Sequence, residues 1–145
     1  MNLKTFSSKK SWIDYAIKSI LSSKPKTIAL SGGSTPKEIY EALGKTKLAW
    51  DKIKFFQVDD RYVPKAHIHS NFKMINDSLI HKTNSQFFHF DTSLPIKTAL
   101  TNYSKTLPKK LDLIILGIGP DGHTASLFHK SKALNSKAKV IHTQT

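Results

Sequence analysis

Near-continuous apolar runs alternate along this chain with stretches of helical spacing, and that alternation narrows the fold sharply. The runs are TIAL (27–30), IKFFQV (53–58) and LDLIILGIG (111–119), with QFFHF (86–90) as a shorter candidate. Strands buried on both sides read as unbroken apolar runs, so the pattern predicts an α/β fold. The expected architecture is a Rossmann-like parallel sheet with helices on both faces. LDLIILGIG, the most apolar run, is expected to be a central strand. Between the runs, SWIDYAIKSIL (11–21) places Trp12, Ile13, Ala16, Ile17, Ile20 and Leu21 on one helical face. SNFKMINDSLI (70–80) does the same with Phe72, Ile75 and Leu79, and a further helix is expected over 95–107, opening at Pro95. A helix is also expected after SGGSTP, with Thr35 as cap, Pro36 at its first position, Glu38 closing a capping box and Gly44 ending it.

At 145 residues the chain suits one compact α/β domain, 1–145, with no repeat or linker. It has no Cys, which excludes disulfide scaffolds, Cys-ligated zinc and thiol catalysis. The opening MNLKTFSSKK lacks the apolar core of a secretory signal, and no apolar run reaches bilayer-spanning length. A cytoplasmic protein without membrane contact is expected. The formal net charge is +13, from 23 Lys+Arg against 10 Asp+Glu. Yet Arg61 is the only arginine, and the lysines are scattered in ones and twos. Nucleic-acid surfaces rely on the planar Arg fork, so a nucleic-acid partner is not expected. The charge reads first as a solvated surface and second as an attraction for an anionic small molecule.

Three loops follow the strand-like runs, and ligands of open parallel sheets bind beyond the carboxyl ends of strands. The first is Ser31-Gly32-Gly33-Ser34-Thr35, running into a helix. Its glycines admit a ligand close to the backbone, while its hydroxyls and the helix-start amides favour an anion such as phosphate. It matches neither the Walker A pattern nor GxGxxG, so no dinucleotide is expected. The second is Asp59-Asp60-Arg61. Adjacent carboxylates on extended backbone point apart, so one should face the cleft and the other brace the loop. The third, Gly117-Ile118-Gly119-Pro120-Asp121-Gly122-His123, puts a histidine on a glycine-rich turn. An imidazole there suits general-base work, Asp121 is placed to orient it, and turn amides are candidate oxyanion donors. His67, His69, His81, His89, His129 and His142 lack such settings. None is read as a metal ligand, since His67 and His69 have no carboxylate or His partner at ligand spacing.

Three stretches, LSGGSTPKEIYEAL (30–43), FFQVDDRYVP with the HSN at 69–71, and LDLIILGIGPDGHTASLF (111–128), resemble the 6-phosphogluconolactonase family. The wider superfamily includes glucosamine-6-phosphate deaminase and has a Rossmann-like fold. The resemblance implies hydrolysis of 6-phosphogluconolactone in the pentose phosphate pathway, without metal or cofactor, by a monomer acting on a small phosphosugar lactone. It implies that His123 activates water, that Asp121 orients it and that Arg61 lines the active site. Gly32, Gly33, Ser34 and Thr35 would receive the sugar phosphate, with Asp59, Gly119 and Gly122 also at the substrate. Two alternatives remain: a glucosamine-6-phosphate deaminase-like isomerase, and a non-catalytic phosphosugar-binding module. Deaminases carry Glu-Tyr after the strand-end Asp and Ala-Phe-Asn-Glu after DGH, whereas this chain has Asp60-Arg61 and TASLF. The chain departs from the family in having Asp60 where Glu is usual. It also stops at KVIHTQT, so it resembles the N-terminal portion of the family fold, with VIHT expected to begin a next strand.

Overall fold

The structure, a computed structural model, describes residues 2–143. Its elements are α1 (Lys9–Ser23), β1 (Thr27–Leu30), α2 (Ser34–Leu43), β2 (Lys54–Gln57), α3 (Asn71–Ile75), α4 (His81–Thr83), β3 (Gln86–Phe88), α5 (Ile96–Thr106) and β4 (Leu113–Ile115). A π-helical turn, Asn76–Ile80, joins α3 to α4. Among the described residues the strands form one parallel sheet in the order β3-β2-β1-β4. Ile28 pairs with Phe55 on one side and with Leu113 on the other. The chain therefore winds one way from β1 to β2 and β3, then crosses back to β4. That reversal makes the carboxyl end of β1 the switch point of the sheet.

The strands' side chains alternate between two faces. Ile28, Leu30 and Phe55 join Ile20 of α1, Ile39, Tyr40 and Leu43 of α2, and Ile75, Leu79 and Ile80 in one buried cluster. Each such side chain contributes about 1.5–3 kcal/mol when fully buried. The opposite face carries Ala29 and Phe56, with Ala99 and Tyr103 of α5 buried on that side and the Tyr103 hydroxyl donating to the Gln57 carbonyl. Helices thus lie on both faces, as the alternation predicts. Phe72, expected on the buried stripe, is half-buried and stacks on Phe87 beside His89.

Three local expectations are corrected. First, α2 starts at Ser34 with Gly33 as its N-cap, and Thr35 caps nothing. Pro36 sits third in the helix, where its missing amide is harmless because first-turn amides have no intrahelical acceptor. Glu38 instead pairs with Lys9 of α1 at 2.9 Å. Second, β4 is an edge strand, not a central one. Ile114 and Leu116 are 50% and 49% exposed, because among the described residues no strand pairs with the outer edge of β4. Third, 140–143 is irregular rather than a strand, since it finds no ladder partner, and it lies instead along a cavity beside α5. The last two residues of KVIHTQT fall outside the described residues.

Candidate functional site

Asp112, at the entry to β4, fixes the register that aligns the strand ends. Its carboxylate accepts from the amides of Lys26 and Thr27 at 2.9 Å each, and these bonds hold it below the ordinary carboxylate value. At the far end of β1, the Tyr40 hydroxyl donates to the Ser31 carbonyl at 2.9 Å and ties α2 to the start of the first loop. Gly33, Ser34 and Thr35 follow, all exposed. With no capping side chain, the amides of Ser34 and Thr35 point outward from the helix start without an intrahelical acceptor. Such an end favours an anion by about 0.3–1 kcal/mol when exposed.

The two carboxylates beyond β2 divide their work as adjacent residues on extended backbone must. Asp60 braces: it accepts from Gln57 Nε2 (2.7 Å) and from the amides of Arg61 (2.8 Å), Asn71 (2.7 Å) and Phe72 (3.1 Å). Asp59 turns to the cleft, where Ser126 Oγ donates to it at 2.7 Å. Burial pushes Asp59 above the ordinary carboxylate value, and the Ser126 donor and Arg61 only partly oppose it. Arg61 Nη1 donates to Asn71 Oδ1 at 2.7 Å and to the His69 carbonyl at 3.2 Å. Among the described residues the guanidinium has no ion pair.

On the third loop, His123 Nδ1 lies 2.5 Å from Asp121 Oδ1, and the ring stacks on Phe128 with centroids 4.7 Å apart. This contact holds Asp121 below the ordinary carboxylate value. A proton on Nδ1 shared with Asp121 leaves Nε2 with a free lone pair, the tautomer a base needs. The ring folds over Gly119 so closely that a Cβ there would fall 2.3 Å from it. One expectation is corrected here. The Gly119 amide donates to the His123 carbonyl at 2.8 Å and the Gly122 amide to the Gly119 carbonyl at 2.9 Å. Both close the turn on itself and are not free oxyanion donors.

The first two loops meet through Asn71, which packs against Gly32 and donates to the Asp59 carbonyl at 3.0 Å, and Ser126 joins Asp59 to the segment after β4. Asp59, Asp60 and Arg61 also line a cavity of about 810 Å³ under α5, with Phe90, Tyr103 and Ser126 on its wall. His123, Asp121 and the first loop are not on that wall. Among the described residues no hydrogen bond or ion pair joins His123 to Arg61, Ser34 or Thr35. Nor is there a group of three or more His, Asp or Glu arranged to hold a metal ion among the described residues, and no helix there is long and apolar enough to cross a membrane. Sequence reasoning passed over Asn71 and Ser126 as site residues. The available signal was their place in two of the stretches that resemble the family, HSN at 69–71 and LDLIILGIGPDGHTASLF at 111–128.

Fold and site define a Rossmann-like α/β domain whose polar loops gather at the switch point of a parallel sheet. The sequence pattern of the glucosamine-6-phosphate isomerases/6-phosphogluconolactonase family matches residues 7–145, and the chain belongs to that family. A probable 6-phosphogluconolactonase from Dictyostelium discoideum is 42% identical over 141 residues, covering 88% of this chain and 60% of that protein. The 6-phosphogluconolactonase of Thermotoga maritima is 42% identical over 107 residues, or 70% of this chain and 49% of the relative. A crystal structure of 6-phosphogluconolactonase from Thermotoga maritima superposes with a TM-score of 0.78 at 35% identity, covering 82% of this chain and 61% of that one. The chain therefore spans about half to three-fifths of the length of these relatives.

Proposed function

We propose that this chain carries the catalytic histidine of a 6-phosphogluconolactone hydrolase. The observation that supports this reading is the His123–Asp121 pair at 2.5 Å on a glycine turn after β4, in a chain 42% identical to a lactonase. Asp121 holds the proton on Nδ1 and steadies the imidazolium, as in hydrolytic triads. His123 Nε2 takes a proton from water as the water oxygen attacks the lactone carbonyl. The tetrahedral adduct collapses, the ring C–O bond breaks, and the imidazolium returns its proton to the departing ring oxygen. Gly33, Ser34 and Thr35 receive the phosphate at the helix start, and Arg61 presents its remaining N–H edge to the substrate's charge. The substrate is a dianionic phosphosugar that does not cross bilayers unaided, so the enzyme is placed by this reading in the compartment that forms its substrate, the cytoplasm, and its monomeric state remains part of the proposal.

The test follows lactone disappearance at neutral pH, corrected for spontaneous opening, for the chain and for His123→Ala. A positioned base supplies about 10²–10⁴ in rate. The variant is expected to lose at least about 100-fold, equivalent to about 2.7 kcal/mol. Equal rates would remove the base assignment, and ammonia release from glucosamine 6-phosphate would move the chain to the deaminase branch.

A further inference from the structure

We propose that Asn71 is a positioning residue that locks the single guanidinium of the chain at the candidate site and couples it to the first loop. Asn71 opens α3 and is 3% exposed. Both ends of its side-chain amide are used, in opposite senses. Oδ1 accepts from Arg61 Nη1 at 2.7 Å, and Nδ2 donates to the Asp59 carbonyl at 3.0 Å. Its own amide donates to Asp60 at 2.7 Å, so its backbone is fixed before its side chain acts. Reversing the amide would set NH₂ against a guanidinium donor and oxygen against a carbonyl, so only one orientation satisfies both partners. Since Arg61 has no ion pair among the described residues, this neutral oxygen and the His69 carbonyl hold its fork. A neutral anchor orients the guanidinium without closing an ion pair on it, although Arg61 lies near enough to Asp59 to oppose the effect of burial there.

The coupling to the first loop is steric. A Cβ built at Gly32 would lie 1.9 Å from Asn71 Oδ1 and 2.1 Å from Cγ. Glycine is therefore required at position 32 because the buried amide occupies the space a side chain would fill. The phosphate-loop candidate and the guanidinium thus both meet the side-chain amide of one residue. The consequence for turnover rests on the lactonase reading, whereas the locking of Arg61 does not.

The experiment uses the absence of any other arginine. In an NMR spectrum of the ¹⁵N-labelled full chain, the arginine side-chain signals report Arg61 alone. In the unmodified protein, hindered rotation should keep the Nη–H signals resolved at low temperature. Asn71→Ala is expected to speed their averaging by about tenfold or more, the change that follows from about 1.4 kcal/mol of lost restraint. Asn71→Asp keeps the acceptor and should keep the signals resolved. Gly32→Ala changes no residue bonded to Arg61 but displaces Asn71, so it should release the signals by itself, and it serves if Asn71→Ala does not fold. In the Asn71→Ala background, Gly32→Ala should add nothing. Resolved signals in Asn71→Ala, equal loosening in Asn71→Asp, or resolved signals in Gly32→Ala would each overturn the assignment. In parallel, kcat/KM for 6-phosphogluconolactone should fall about tenfold in Asn71→Ala and stay low in Asn71→Asp, whose carboxylate holds the guanidinium but neutralises it. If the unmodified chain shows no lactone turnover while Arg61 responds as described, the lactonase reading fails and the positioning role stands.

Discussion

Asp60→Ala is the substitution expected to cost this fold most for the fewest atoms removed. Four donors reach the carboxylate within 3.1 Å, Gln57 Nε2 and the amides of Arg61, Asn71 and Phe72, with Ser70 Oγ farther off at 3.4 Å. Truncation frees all four, and water reaches those on the exposed side of the loop. Gln57 and Asn71 are 2% and 3% exposed, so their donors stay buried without partners. Each buried unsatisfied group costs about 1–3 kcal/mol. The expected loss is therefore about 2–6 kcal/mol, a large part of the roughly 5–15 kcal/mol that holds a domain together. Urea unfolding at pH 7 measures it as a lower midpoint with an unchanged m value. Asp60→Glu keeps the charge and both oxygens, so it should lower the midpoint less than Asp60→Ala does in the same titration. A loss below about 1 kcal/mol for Asp60→Ala would refute the reasoning, since it would mean that water satisfies all four donors.

Two further outcomes are expected. Gly119→Ala should leave stability within about 1 kcal/mol, because its Cβ meets a movable imidazole rather than backbone. Displacing that ring should cost lactone turnover nearly as much as His123→Ala, and steady-state kinetics of the two variants side by side checks this. Asp59→Asn tests the buried carboxylate. The folded state raises Asp59 above its ordinary value of 3.8, so the folded chain binds its proton more tightly than the unfolded chain. Stability from this group is thus present at low pH and lost as pH rises from that value through the folded one. Asparagine does not titrate, so the variant's stability relative to the unmodified chain should climb from pH 4 to pH 7 in urea unfolding. A pH-independent difference would contradict the burial of Asp59.

The sheet was legible because its signals are local: apolar runs of strand length, ended by glycine or by the carboxylates of Asp59 and Asp60. The helix face of Ile75 and Leu79 was legible for the same reason. The π turn at Asn76–Ile80 was not, because one extra residue per turn hardly changes an apolar stripe. The start of α2 was misread because capping preferences rank side chains, whereas here a bare glycine carbonyl takes the first bond, from Lys37 at 3.3 Å. Ile114 and Leu116 carry the apolar signature of a strand covered on both sides, yet whether a neighbour covers them is a long-range fact that no local pattern holds. At the candidate site, residue types were readable but pairings were not. Nothing in the spacing of Gly32 and Asn71 announces that one excludes a side chain from the other.

The central position of β1 has a consequence for the chain as it is made. Its first neighbour, β2, is translated soon after it, but Thr27 meets Asp112 only 85 residues later. At about 5–20 residues per second, ribosomes take roughly 4–17 s to cover that distance. Throughout that interval the middle of the nascent sheet has one bare edge, open to any extended segment that reaches it first. Slow codons or chaperone contact between residues 30 and 113 should therefore influence yield more than the same events elsewhere in the message.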